Sequence, residues 1–373
     1  MLRAAVGERR ILINALSWSI GGGNTYSLNL IRELSRDPRG FRFTVLGAQG
    51  RFSEDEAGGL DVATVRLPAG RAQESTLLRV AYEETLLPLR ARRFDLLYCM
   101  ADLAPAFRST PTVVHLRNLH IYDRRFIDTL RMKALGGLVH LGLRGARRIV
   151  FPSQAAADHI APALSVPADR IAVVPHGVSS EFLDAEASVR PAAPYLFLPA
   201  LLEPHKNVAV LIEGLRHVSD PKLEVWIAGH ESIDPEYVRG LRGLADEIGL
   251  GPRVRFLGPV PYREIFAYYR GAVALVFPSL LETFGHPLLE AMLAGTPIVA
   301  SDIPTCREVA ADVALYFDPH DPVALAAAVE RIRSQPDETR ERIERGRARA
   351  ARFSWENSVD RLCAVFEDAL RAD

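Results

Sequence analysis

Lysine is almost missing from this chain of 373 residues: among 45 basic residues, only Lys133, Lys206 and Lys222 are lysines. A lysine placed in a loop here is harder to dismiss as solvating filler. Cysteine is as scarce, and Cys99, Cys306 and Cys363 are odd in number and far apart. That excludes a disulfide framework and the ligand spacing of a zinc site, and it favours a reducing compartment. Excess charge is missing too. With 45 basic and 46 acidic residues the net charge is −1, so nothing marks nucleic acid as a partner. No run reaches the roughly 18 apolar residues that a membrane span needs. The stretch "ILINALSWSI" follows arginines as a secretory leader would, but "GGGN" stands where a small-residue cleavage site belongs, so we read a first buried strand and expect a cytoplasmic protein. No repeat or low-complexity segment is present.

What is there is a rhythm. A chain longer than the roughly 250–300 residues at which single cores stop growing is expected to form two domains. Short apolar runs ("RILINA", "FRFTVLG", "VATVRLP", "LLYC", "TPTVVHL", "RRIVFPS", "IAVVPHG") alternate with amphipathic stretches at 24–36, 74–91, 125–146 and 153–164. Their hydrophobicity is continuous, as in strands of a parallel sheet covered on both faces. After the Ala- and Pro-rich segment 183–194 the rhythm restarts with "YLFLPA", "LEVWIAG", "VRFLG", "AVALVFPS", "PIVAS" and "ALYF", with helices expected near 207–216, 235–248, 261–270, 287–294 and 321–334. The fold class predicted is α/β, two doubly wound Rossmann-like domains, 1–182 and 195–350, joined by a linker at 183–194. A C-terminal helix, 351–373, carries Trp355, Val359, Leu362 and Phe366 at helical spacing and is expected to pack back on the first domain.

Three stretches carry chemistry. In "PSLLETFGHPLLEAMLAGTPIVASD", residues 278–302, a helix is predicted to begin at Pro287 and to stop at Gly295. Glu282 then lies on the loop before it and Glu290 in its first turns, so the two carboxylates flank a ligand that also meets the N–H groups of the helix start. The competing reading of Glu290 is a carboxylate that the helix dipole merely stabilises. Gly21-Gly22-Gly23-Asn24 follows the first strand and opens a helix, which suits close backbone approach to a phosphate, or a tight turn alone. The stretch is not GxGxxG, which counts against nicotinamide cofactors. In "ALLEPHKNVAVLIEGL", residues 200–215, Lys206 sits in a loop before a helix, where an ammonium would neutralise a diphosphate leaving group.

Together with "PHKN", "VRFLGPV", "REVAADVALYFDPHD" and, more weakly, "SIGGGNTYSLNL" and "VPADRIAVVPHGVSSEF", these stretches resemble the retaining glycosyltransferases of family 4. The resemblance covers nearly the whole chain and is strongest from Tyr195 to Asp321. It implies a GT-B fold, an acceptor-side first domain, and a second domain binding a UDP-, GDP- or ADP-linked sugar as co-substrate, without cofactor or metal. Carried over residue by residue, Glu290 accepts hydrogen bonds from the ribose, Glu282 lies beside the donor sugar, and the N–H groups of Phe284, Gly285 and His286 meet sugar hydroxyls. Lys206 holds the diphosphate, helped by Gly22 and Gly23.

Two positions depart from the family pattern. The Arg that many members carry five or six positions before the lysine is replaced by Leu201 and Ala200, leaving His205, Arg263 or Arg307 as substitutes. A His-Asp pair common in the first domain is matched by Arg117-Asn118, with His115 and His120 close by. His120 is expected to act in catalysis and His115, Arg117 and Asn118 on the acceptor side, against the reading of a buried structural histidine. The basic stretch 123–148 has two readings, contact with the inner membrane face or a helix buried against its own sheet, of which composition favours the second. The expected activity is transfer of a sugar to a hydroxyl of a saccharide, lipid-linked glycan or small natural product. A non-catalytic nucleotide- or sugar-binding relative, another GT-B enzyme such as an epimerase or phosphorylase, and lastly an NAD-dependent dehydrogenase are the alternatives.

Overall fold

The computed structural model describes residues 9–16, 22–48, 60–65, 72–118, 130–179, 191–230 and 234–371, with the side chains of 22–25, 72–76, 130–132 and 263 left aside. The chain divides into two compact units, Met1–Gly177 together with Trp355–Asp373, and Val178–Ser354. Most of the segment expected as a linker lies outside the described residues.

The first unit runs β1 (Arg9–Asn14), α1 (Gly22–Arg36), β2 (Phe41–Ala48), β3 (Asp61–Val65), α2 (Ala72–Thr85), α3 (Leu87–Ala91), β4 (Leu96–Cys99), β5 (Thr112–His115), α4 (Leu130–Arg144), β6 (Arg148–Phe151), α5 (Gln154–Ala163) and β7 (Ile171–Val173). Its sheet has the order β3-β2-β1-β4-β5-β6-β7 with every neighbouring pair parallel. β4 and β5 are buried along their whole length, which is why "LLYC" and "TVVH" carry no polar alternation.

The second unit runs β8 (Tyr195–Pro199), α6 (Val208–Gly214), β9 (Glu224–Ala228), α7 (Pro235–Glu247), β10 (Val254–Gly258), α8 (Tyr262–Gly271), β11 (Ala274–Phe277), α9 (His286–Ala294), β12 (Ile298–Ser301), α10 (Pro304–Ala310), β13 (Leu315–Phe317), α11 (Pro322–Ser334) and α12 (Pro336–Ala350). The sheet order is β10-β9-β8-β11-β12-β13, again all parallel. Successive residues of β8 feed opposite cores: Leu196 and Leu198 face one cluster, Tyr195 and Phe197 the other. Helix starts obey local chemistry. Asp234 and Asp321 each stand before a proline and accept from two N–H groups of the following first turn, of α7 and α11 respectively.

α13 (Trp355–Arg371) returns to the first unit. Its buried residues Trp355, Val359, Leu362 and Phe366 recur every three or four positions and join the core of β1, β2 and α1. Phe366 lies 5.1 Å from Tyr98 and 6.1 Å from Phe41, centroid to centroid.

Candidate functional site

In both sheets the strand order reverses beside the first strand, and loops leaving the carboxyl ends of the two strands there diverge to open a crevice. In the second unit those strands are β8 and β11. Lys206 ends the 3₁₀ turn Pro204–Lys206 that follows β8, and Glu282 lies on the loop that follows β11. The structure brings them together: Lys206 Nζ donates to Glu282 Oε1 at 2.6 Å, with side chains 17% and 10% exposed. Thr305, at the start of α10, holds the Glu282 loop from behind by donating its hydroxyl to the Glu282 carbonyl at 2.8 Å.

α9 starts at His286, one residue earlier than the sequence predicts, and is capped at its far end by Gly295 in the left-handed region. Gly285 precedes it at φ 90°, where a side chain would be strained and its Cβ would meet Leu288 at 3.1 Å. The first turn of α9 thus begins on the loop that carries Glu282, Phe284 and Gly285. Phe284 is buried, with its ring 5.5 Å from that of His286. Glu290, one turn further, is 7% exposed and accepts from the Tyr269 hydroxyl at 2.6 Å. Tyr262 also hydrogen-bonds this carboxylate. Burial raises the Glu290 pKa above its ordinary value, and the two tyrosine hydroxyls oppose that rise only in part. Tyr262 and Tyr269 stand seven positions apart on α8 and so share one face. Sequence reasoning missed both; the spacing in "YREIFAYY" was the available signal.

Of the substitutes for the missing arginine, Arg307 and His205 have partners of their own. Arg307 is engaged elsewhere, donating to both Asp302 oxygens at 2.6 and 2.7 Å and lying 3.9 Å over the Tyr316 ring. His205 is buried, with Nδ1 3.7 Å from Glu203 Oε2. The Arg263 side chain lies outside the described residues.

Gly22 and Gly23 are the first residues of α1 in the other unit. His115, expected on the acceptor side, is instead wholly buried, its Nδ1 3.0 Å from the Tyr26 hydroxyl and 2.9 Å from that of Tyr98. Burial, reinforced by Arg117, keeps its pKa well below the ordinary histidine value, so the imidazole is neutral. The cause is position: His115 closes a strand whose four residues are all buried. Arg117 lies over the Tyr26 ring at 4.6 Å, and the Arg117 and Asn118 N–H groups donate to Asp102 Oδ1 at 2.9 and 3.2 Å. Asp102, buried and at φ 26°, therefore latches the Arg117-Asn118 loop; the sequence did not single it out. His120 lies outside the described residues. Among those residues no group of His, Cys, Asp and Glu is arranged to hold a metal ion.

Two units of parallel α/β structure, with a lysine–carboxylate pair at the strand-order reversal of the second, fit the GT-B fold that the resemblance implies. A family profile described as "Glycosyl transferases group 1" matches residues 181–349, and one described as "Glycosyltransferase Family 4" matches residues 20–182. The chain belongs to the group 1 glycosyltransferases. It is 28% identical over 254 residues to the O-antigen chain mannosyltransferase RfbU of Salmonella typhimurium, covering 68% of each chain. It is 30% identical over 246 residues to a D-inositol 3-phosphate glycosyltransferase of Acidothermus cellulolyticus, covering 60% of this chain and 54% of that one. The chain thus spans little more than half the length of the second relative. In fold it is similar to Anabaena HepE in complex with UDP-glucose, with a TM-score of 0.78 at 20% identity, covering 96% of this chain and 99% of that one.

Proposed function

We propose that the protein is a retaining, metal-independent glycosyltransferase that moves a hexose from a nucleotide-sugar to a hydroxyl of a saccharide or lipid-linked acceptor. The observation that carries this reading is the Lys206–Glu282 pair beside the start of α9. As the anomeric C–O bond breaks, negative charge grows on the diphosphate and positive charge on the sugar. A cation and an anion held in contact match that dipole, Lys206 at the phosphates and Glu282 beside the ring, without reorganisation during reaction. Phe284, Gly285 and His286 would offer N–H groups to the sugar hydroxyls, and Glu290 would accept from the ribose. RfbU supports a hexose and a glycan acceptor by its name, and HepE, which binds UDP-glucose, supports a nucleotide-sugar donor.

The test is a thermal-shift panel of UDP, GDP and ADP with their common sugars on the wild type and Glu290→Ala. A ligand at about a hundred times its Kd stabilises by roughly 2.7 kcal/mol. One nucleotide class should raise the wild-type melting temperature and lose its effect in the variant, and incubating that donor with glycan acceptors should yield product. Binding without turnover would favour a non-catalytic relative. No binding by the folded protein would remove the transferase reading.

On the partner side we infer peripheral contact of the first unit with anionic lipid. α4 buries Val139 and Leu143 but exposes Lys133, Leu141 and Arg144 at intervals of eight and three, along one flank. Phe107, 81% exposed, is fixed next to it because Arg108 donates to the Gly142 carbonyl at 2.7 Å. No helix among the described residues is long and apolar enough to cross a membrane. Flotation with phosphatidylglycerol vesicles at low salt should capture the protein, phosphatidylcholine should not, and Phe107→Ser with Leu141→Ser should weaken capture about tenfold. Equal flotation of variant and wild type would refute the contact.

A further inference from the structure

Asn207, next to Lys206, holds φ 52° and ψ 43°, a left-handed conformation that asparagine tolerates better than most side chains but that glycine would adopt without strain. It opens α6, yet its side chain makes none of the capping bonds that asparagine ordinarily gives at a helix start. Its amide turns the other way. Nδ2 donates to the carbonyl of Pro278 at 3.1 Å and to that of Pro319 at 2.7 Å. Pro278 directly follows β11 and Pro319 lies two residues after β13, so one amide ties the loop after β8 to the loops leaving two other strands. A reciprocal backbone bond runs beside it, Leu280 N–H to the His205 carbonyl at 2.8 Å. The Lys206–Glu282 contact is bracketed by these bonds: Lys206 lies between His205 and Asn207, and Glu282 four residues beyond Pro278 and two beyond Leu280.

We propose that Asn207 is a positioning residue of the donor site, its amide clamping the Lys206 loop against the Glu282 loop so that the ammonium is held where the diphosphate arrives. This rests on the reading that Lys206 meets the diphosphate. The chemistry sets the amide apart from the backbone requirement. Glycine satisfies the positive φ and lacks both donors. Aspartate is isosteric and tolerates the same φ, but it presents oxygens to two carbonyl oxygens. If only the backbone shape mattered, either replacement would serve; if the amide is the clamp, both fail.

The experiment uses the full chain as wild type, Asn207→Gly, Asn207→Asp and Lys206→Ala. Affinities are measured for UDP, GDP and ADP by isothermal titration and for uridine, guanosine and adenosine by ligand-observed NMR, with melting temperatures to establish folding. The expected result is a loss of about tenfold in affinity for the nucleoside diphosphate that the wild type binds, in Asn207→Gly and Asn207→Asp alike, with affinity for the matching nucleoside within about twofold of wild type. Lys206→Ala should lose the same phosphate-dependent part, and more of it. A clamp on the lysine loop predicts that split, whereas general loosening of the domain lowers both affinities together. Wild-type diphosphate affinity in either Asn207 variant, or an equal loss for diphosphate and nucleoside, overturns the proposal while leaving the role of Lys206 standing. Unchanged diphosphate affinity in Lys206→Ala overturns the role of Lys206 and the clamp with it, as does a folded wild type that binds none of the three diphosphates. Should the glycine variant fail to fold, the aspartate variant decides by the same split.

Discussion

Lys206→Ala is expected to lower kcat/KM for the nucleotide-sugar by about 10²–10³-fold, the usual cost of removing a preorganised group aimed at charge that develops in the transition state. Lys206 is one of only three lysines in the chain, and it is held by a buried-side contact rather than left in solvent. Part of the loss will be indirect, because alanine leaves the Glu282 carboxylate, 10% exposed, without its cation. The variant should therefore also melt lower. Pairing it with Glu282→Gln separates the two effects: the double variant should recover stability, since no uncompensated charge remains, and should not recover turnover. Lys206→Arg should rescue poorly, because the planar fork replaces a compact ammonium in a pocket set by the 2.6 Å contact. Steady-state rates and melting curves on the four proteins check all of this. Full kcat/KM in Lys206→Ala would put the diphosphate elsewhere.

Glu290→Gln is expected to do the opposite to stability. The Glu290 carboxyl is buried and its pKa lies above the ordinary value of 4.5, so the folded protein holds the proton more tightly than the unfolded chain does. Stability contributed by that proton is present below the unfolded pKa and is lost as pH rises through the folded one. At neutral pH, above the unfolded pKa, the wild type has lost stability that it holds in acid, whereas glutamine has no proton to lose and keeps an oxygen for the Tyr269 hydroxyl. The melting temperature of the free variant should exceed that of wild type at neutral pH, and the gap should close below about pH 4.5, where the unfolded glutamate is itself protonated. Nucleotide affinity should fall by about tenfold, because the glutamine amide replaces one of the two carboxyl oxygens open to the ribose hydroxyls. A pH series by calorimetry with and without nucleotide checks both halves. A variant that melts lower and binds as well as wild type would make the carboxylate structural.

Much of this architecture is legible before any coordinates. Each apolar run became a strand, and in those buried on both faces, such as "LLYC" and "LEVWIAG", a parallel sheet leaves no room for polar alternation. α10 and α12 were missed for physical reasons. α10 is only seven residues long, and α12, "PDETRERIERGRARA", is charged on nearly every side. α12 is held by two devices that periodicity does not register. Gly346 lets it approach Met292 and Val313, and Arg349 donates to the carbonyls of Val309 and Glu308 at the end of α10. At the site, Glu282, Glu290 and Lys206 could be singled out by residue type and local context. Asn207, Thr305 and Asp102 could not, since what each does depends on a loop or helix elsewhere in the chain, and the spacing of Tyr262 and Tyr269 gives their shared face but not the carboxylate they meet. His115 shows the converse: beside Arg117 and Asn118 the sequence leaves it between an acceptor-side role and a buried histidine, and its place in a fully buried strand is what the sequence could not give.

The return of α13 to the first unit sets an order on biosynthesis. The second unit is an uninterrupted segment, Val178–Ser354, whereas the core of the first lacks Trp355, Val359, Leu362 and Phe366 until α13 has been made. At about 5–20 residues per second, β1 to β7 wait roughly 10–40 s for their last helix, while the whole second unit is being made. During that interval a nascent seven-stranded sheet exposes the apolar face that Phe41, Phe43 and Tyr98 line. Chaperone demand and aggregation on the ribosome should accordingly fall on the half of the protein that is translated first.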